Sequence, residues 1–171
     1  MLGLKYVESV LYYIFMREEM TLVHIKGVAM PSEEASPIVV LQDGDGGELA
    51  VSVGAFEAGA IVMELEGLST PRPLTHSLLS QLLREQGVSI RRVELYGLYG
   101  ADQDGFMARI LYGRGIRSWT RDVRPSDALA LAAVTKAPVY AHPSLIMPCG
   151  YCTDASESYA EGHYWLQAAQ A

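Results

Sequence analysis

Pro37-Ile38-Val39-Val40-Leu41, Asp43-Gly44-Asp45-Gly46-Gly47 and the run from Glu48 to Val53 form the stretch that decides the fold. The first is a short apolar run of the kind that makes a buried strand. The second is a turn of residues that tolerate positive φ, and the third returns as a partner strand, so the three form a hairpin. Immediately afterwards, at Gly54-Ala55-Phe56-Glu57, the period changes. Phe56, Ala60, Ile61 and Leu65 fall at the spacing of one buried helical stripe, which Gly67 ends.

The same alternation of periods runs outward in both directions. Thr21 to Met30 reads as a strand, with Leu22, His24 and Lys26 on one face and Val23, Ile25 and Gly27 on the other. A second helix is expected from His76 to Gln86, with Leu78, Leu79, Leu82 and Leu83 as its apolar face and Gly87 as its cap. Period two returns at Val88 to Tyr99, and again after Asp104-Gly105 through Phe106, Ala108, Ile110 and Tyr112. Gly113-Arg114-Gly115 turns the chain into Ile116 to Val123. A third helix is expected over Pro125 to Thr135, and Pro138 to Ala141 closes as a short strand. The order is β-β-β-α-α-β-β-β-α-β. Strands grouped in runs between helices argue an α+β fold with a mixed or antiparallel sheet of about 6–7 strands and three principal helices.

Three segments follow from this pattern. Residues 1–20 are an extension, in which Met16 and Met20 are alternative starts; residues 21–146 carry the regular domain; residues 147–171 are a tail with enough Ala and Gln for a helix from Ser156 to Gln170. The chain of 171 residues is 50% apolar and 19% charged, enough for a real core. Its longest apolar run near the start, Val10 to Met16, follows Lys5 and Glu8 and is too short to span a bilayer. It also lacks the small-residue cleavage site of a secretory signal, so the expected location is the cytoplasm.

The net charge of −7 divides unevenly. Residues 1–71 hold three Lys/Arg against eleven Asp/Glu, residues 72–136 hold ten against six, and the remainder has three acids and no Lys or Arg. The overall field disfavours polyanions while the central segment attracts them, so charge alone decides nothing about nucleic acid. Cys149-x-x-Cys152, flanked by His142 and His163, matches no common zinc spacing and reads as two thiols on a loop.

The chemistry-bearing strings open the helices. Glu57 falls at the third position of its helix, and so does Asp127 in Arg124-Pro125-Ser126-Asp127, where Pro125 suits the first position. A carboxylate there faces the positive end of the helix dipole, so capping explains both acids without chemistry. In Pro71-Arg72-Pro73-Leu74-Thr75-His76, Thr75 is a good N-cap and His76 sits near the positive dipole end, which disfavours its protonation. It can serve there as a base or be a bystander. Along Arg117-Ser118-Trp119-Thr120-Arg121, alternation puts Arg117, Trp119 and Arg121 on one face. Such a face could stack a base and pair phosphates, but an indole packed in the core with arginines reaching the sheet edge is the expectation.

Taken together, Val53 to Ala58 with Ile61, Leu65-Glu66-Gly67, Pro71 to Leu79, Asp122 to Leu131 and Ala137 to Tyr140 resemble the bifunctional nuclease (BFN) domain family. The resemblance covers about residues 21 to 146. It implies a compact α+β fold, hydrolysis of DNA and RNA, and a homodimer. Ala55 stands where the family usually has Pro, and Ser77 where Asp is common; the second departure weakens a model needing a carboxylate beside His76. Under this implication the expected catalytic groups are His76, Glu57 and Asp127. Arg72, Arg124, Thr75 and Ser126 are the expected substrate contacts, while Glu57, Glu64 and Asp122 could hold Mg²⁺ or Mn²⁺. No H-x-H or H-N-H cluster is present. The alternative is a noncatalytic regulatory or ligand-binding homodimer. A nuclease requires the three helix starts to converge on an open cleft rimmed by Arg72 and Arg124. The alternative requires those arginines to pair with Glu57 and Asp127 beneath protein.

Overall fold

The structure, a computed structural model, describes residues 20–30, 35–99, 105–148 and 166–167. In chain order the elements are β1 (Thr21–Ala29), β2 (Ile38–Gln42), β3 (Glu48–Ser52), α1 (Ala55–Leu65), α2 (Thr75–Glu85), β4 (Ser89–Tyr99), β5 (Gly105–Arg114), β6 (Arg117–Val123), α3 (Pro125–Thr135), β7 (Val139–Ala141), a 3₁₀ turn (Pro143–Leu145) and β8 (Leu166–Gln167). The expected element order and the α+β class both hold.

The sheet runs β3-β2-β1-β7-β4-β5-β6, and β8 pairs with β1 beside this path. Every pairing is antiparallel except β4 with β7, so the sheet is mixed. β1 joins the two halves: Thr21 to Val23 pair with β7, and His24 to Ala29 pair with β2. A register shift between Ile25 and Gly27 lies within the β2-paired half. The β2–β3 hairpin closes on Asp43, whose Oδ1 accepts from the backbone N–H of Asp45 at 2.9 Å and of Gly47 at 2.7 Å. That is an Asx turn, and Gly46 supplies the positive φ of 86°.

The central element is α3. Its residues Ala128 to Ala133 are all buried, because the helix lies against β4 and β5 with α1 and α2 packed beside it. A helix apolar all round fits such a place and no surface one. Lys136 ends it in the left-handed region at φ 55°, where Gly would be the usual residue. The core beneath combines Leu129 and Leu131 with Val39, Leu41, Val51, Ile61, Val93 and Leu95.

Four expectations change here. Phe56 does not join the buried stripe of α1: it is 93% exposed, while Ala60 and Ile61 are buried. The leucine face of α2 also points outward, with Leu78, Leu79 and Leu82 exposed and only Ser80 buried. Ser80 and the half-buried Leu83 face the fold, and the other three leucines of this face turn to solvent. Trp119 is no core residue, because β6 is the sheet edge and the helices do not reach over it. Finally, Leu166–Gln167 pair as a strand with Val28 and Gly27, where a tail helix was expected. The remaining expectations for the extension, for Cys149, Cys152 and His163, and for most of the tail lie outside the described residues.

Candidate functional site

α1, α2 and α3 bring their first turns together at one end of the helical layer. Gly54 is the N-cap of α1 and Arg124 that of α3, both extended, so Glu57 and Asp127 take the third helical positions. For α2 the N-cap is Leu74 rather than Thr75, which is exposed as the first helical residue and makes no side-chain cap. His76 follows as the second. The difference is one residue, within the ordinary scatter of helix ends.

The side chains form a connected quartet. His76 Nε2 lies 3.3 Å from Asp127 Oδ1, across 51 residues of sequence. Arg124 donates from Nε to Asp127 Oδ2 at 2.7 Å and from Nη2 to Oδ1 at 3.0 Å, a bidentate grip. The same Nη2 donates to Glu57 Oε1 at 3.4 Å. Glu57 folds back over Gly54, so that its carboxylate tip occupies the space a Cβ there would fill. His76 and Glu57 are largely covered, whereas the Arg124 side chain is 70% exposed.

The electrostatics follow from this geometry. The hydrogen bond from Arg124 holds Asp127 below the usual carboxylate value of 3.8, against the opposing effect of burial, and the bond to His76 adds to the depression. The Arg124 guanidinium is in turn raised, first by its bond to Asp127. Both are therefore charged at neutral pH. Because the folded carboxyl is the stronger acid, Asp127 contributes stability that is present above its ordinary value and lost as pH falls through the depressed one. Asp127→Asn removes that contribution. The stability gap between wild type and this variant should be constant above about pH 5 and should shrink below it. Urea unfolding across acid pH measures it.

The other expected site residues stand apart from the quartet or at its edge. Arg72 is exposed, and its side chain makes no ion pair with a described residue; Ser126 is half-buried on the first turn of α3. Glu64 shares a face of α1 with Glu57, but two turns further on it meets Lys136 at 3.7 Å, so the pair spans both ends of α3. Asp122 points to the opposite face of the sheet, where it accepts from the Tyr96 hydroxyl at 3.2 Å. Among the described residues no three His, Cys, Asp or Glu side chains are grouped to hold a metal. Between the carboxylates of Glu57 and Asp127, where a divalent ion would have to sit, the Arg124 guanidinium already lies. The donor set does not fit Mg²⁺ or Mn²⁺. His142, once a conceivable zinc ligand, instead caps the 3₁₀ turn through Nδ1 and the Ser144 backbone N–H at 3.3 Å.

The requirements of the two functional readings are met in mixed form. The helix starts converge, as catalysis requires, and Arg124 is open to solvent. Yet it also pairs with Glu57 and Asp127, as the noncatalytic reading requires. A second polar cluster escaped the sequence reading. Glu94, 1% exposed on the outer face of β4, is gripped by Arg92 and Arg109. Arg92 lies over the Tyr140 ring and Arg109 over the Tyr96 ring. The signal available was a Glu flanked by apolar residues inside a strand, which alternation alone assigns to solvent.

The bifunctional nuclease domain model matches residues 39–152. An uncharacterised protein of Mycobacterium tuberculosis, present in two strains, is 31% identical over 130 residues, covering 75% of each chain. Bifunctional nuclease 2 of Oryza sativa subsp. japonica is 26% identical over 125 residues, 70% of this chain and 38% of the rice protein. With the quartet built from the strings that open α1, α2 and α3, and with the family model spanning most of the chain, the protein belongs to the bifunctional nuclease domain family.

Proposed function

We propose that the chain hydrolyses phosphodiester bonds of nucleic acid at the convergence of the three helix starts. The observation that carries this reading is the His76–Asp127–Arg124–Glu57 quartet with its guanidinium open to solvent. Asp127, ionised, is acceptor-only, so His76 Nε2 is the nitrogen that bears the proton in their contact. The other nitrogen, Nδ1, then carries the lone pair that takes a proton from water. Glu57 and Asp127 position Arg124, whose Nη1 makes no hydrogen bond with a described residue and can meet a phosphate oxygen. A guanidinium fixed in this way stabilises the charge that develops on phosphorus-bound oxygens. Arg72, Thr75 and Ser126, at the rims of the same helix starts, complete the substrate contacts.

Purified protein should cleave single-stranded DNA or RNA, and cleavage should persist in EDTA because Arg124 stands where a metal would. Arg124→Ala should lower the rate by about 10²–10³, and Arg124→Lys should restore little, since an ammonium cannot span both carboxylates and a phosphate. Complete loss in EDTA would refute the arginine's role.

A homodimer is the second part of the proposal. Leu74, Leu78, Leu79 and Leu82 form an exposed apolar stripe on α2, and burial against a second copy would remove it from water. Leu78→Lys with Leu82→Lys should give a folded monomer by sedimentation equilibrium. An unchanged association state would exclude this helix as the interface. The noncatalytic homodimer remains the rival reading. The pairing of Arg124 with both carboxylates favours it, and it predicts no hydrolysis under any condition.

A further inference from the structure

The β5–β6 hairpin carries a feature that the quartet does not use. On the helix-side face of the sheet, Arg117, Trp119 and Arg121 follow one another at alternate positions of β6. Their cross-strand partners on β5 are Arg114, Tyr112 and Ile110. The Tyr112 and Trp119 rings pack at 5.8 Å between centroids, tilted by 31°. Tyr112 joins the core, so it braces the indole from one side, while Trp119 stays 43% exposed. Arg114 lies against Gly87 at the end of α2, one turn beyond Arg84. None of Arg84, Arg114, Arg117 and Arg121 forms an ion pair with a described residue, and Asp122, the one acid of β6, is turned to the other face.

We propose that this face is a binding platform for single-stranded nucleic acid, with a base stacked on Trp119 and phosphates held by Arg114, Arg117 and Arg121. This rests on the reading that the chain acts on nucleic acid, and it names the strand type and the path. Four exposed guanidinium groups that form no ion pair with a described acid complement a polyanion, even on a chain of net charge −7. A braced, exposed indole between them takes the face of a base, and only an unpaired strand offers that face. Continuity with the quartet supplies the direction. β6 ends at Val123, the next residue is Arg124, and a strand rises about 3.3 Å per residue. Trp119 therefore stands roughly 17 Å from Arg124 along the same edge, and Arg121 lies between them. At the Trp119 end, an open groove of about 270 Å³ lies between α2, α3 and β4, lined by Ser80, Leu83, Arg84, Ile90 and Thr135 among others. Ile90 pairs with Tyr112, which pairs with Trp119, so the groove adjoins the ring pair and offers room for a second base.

The test is fluorescence anisotropy of the full-length protein with labelled oligothymidylate, oligouridylate, a duplex and a polyglutamate peptide, over a range of salt. Hydrolysis is measured on the same samples. The platform predicts that single strands bind more tightly than duplex and that polyglutamate binds weakly. Trp119→Ala should weaken single-strand binding about tenfold or more, and Trp119→Phe should keep most of it. Arg117→Ala with Arg121→Ala should reduce the slope of log K against log salt by roughly 1.4, as two lost phosphate contacts require. Circular dichroism melts of each variant separate lost binding from lost folding. Equal duplex affinity, preferential binding of polyglutamate, no oligonucleotide binding at low salt, or wild-type binding by folded Trp119→Ala would each overturn the platform. Binding that follows these predictions with no hydrolysis by any sample would sink the catalytic reading and leave the platform standing. Hydrolysis that is indifferent to Trp119 and to both arginines would do the reverse.

Discussion

Replacing His76 by alanine is expected to lower phosphodiester hydrolysis by about 10²–10⁴, the usual range for losing a positioned general base. The fold should survive, because the side chain fills no part of the core and Asp127, which it meets, keeps both bonds from Arg124. Melting temperature should therefore move little while the rate collapses. The reason lies in how His76 is held. Its position near the start of α2 exposes it to the positive dipole end, and Asp127 reaches it from the start of α3. Asp127→Asn should also slow the reaction, since an amide can present its NH₂ group to Nε2 and so favour the wrong tautomer. A single-turnover time course with each variant measures both effects. Equal rates for wild type and His76→Ala would remove His76 from the chemistry.

The largest loss of stability is expected on the other face of the sheet. Glu94→Ala should cost about 3–5 kcal/mol, because it leaves Arg92 and Arg109 facing each other around an emptied, nearly sealed position. Glu94→Gln keeps the shape and one acceptor but loses the charge, so its cost should be smaller though still above that of a surface change. Replacing all three by apolar residues of similar volume should recover much of the loss, as buried ion pairs are often neutral against well-packed apolar substitutes. Urea denaturation of the three variants would check the order. A Glu94→Ala protein as stable as wild type would show that water or rearranged side chains satisfy the two arginines.

Much of the fold was legible because the sequence changes period where the structure changes element. The hairpin across Asp43 to Gly47 and the helix from Pro125 to Thr135 follow from turn residues, an N1 proline and apolar spacing. What periodicity could not reveal was which apolar face is covered. Phe56 and the α2 leucines have the spacing of core residues, and only their place at the edge of the helical layer leaves them outside. Trp119 misled in the same way, since alternation describes a face but not whether a strand is central or at the edge. The quartet was legible as separate residues, each with a capping explanation. Their union was not, because contacts across 51 and 67 residues depend on the parallel packing of three helices. The Glu94 cluster depends on the β4–β5 register, which sets Arg109 opposite Glu94, and on β7, which brings Tyr140 to Arg92.

The most direct test of the catalytic claim is a matched-preparation assay. Wild type and the double variant His76→Ala with Arg124→Ala are purified side by side and given the same labelled single strand in EDTA. Any contaminating nuclease is then common to both. The account predicts cleavage by wild type and at most background cleavage by the double variant, with both proteins folded. Equal cleavage by the two, or none by either, would contradict it and leave the helix-start quartet with a purely structural role.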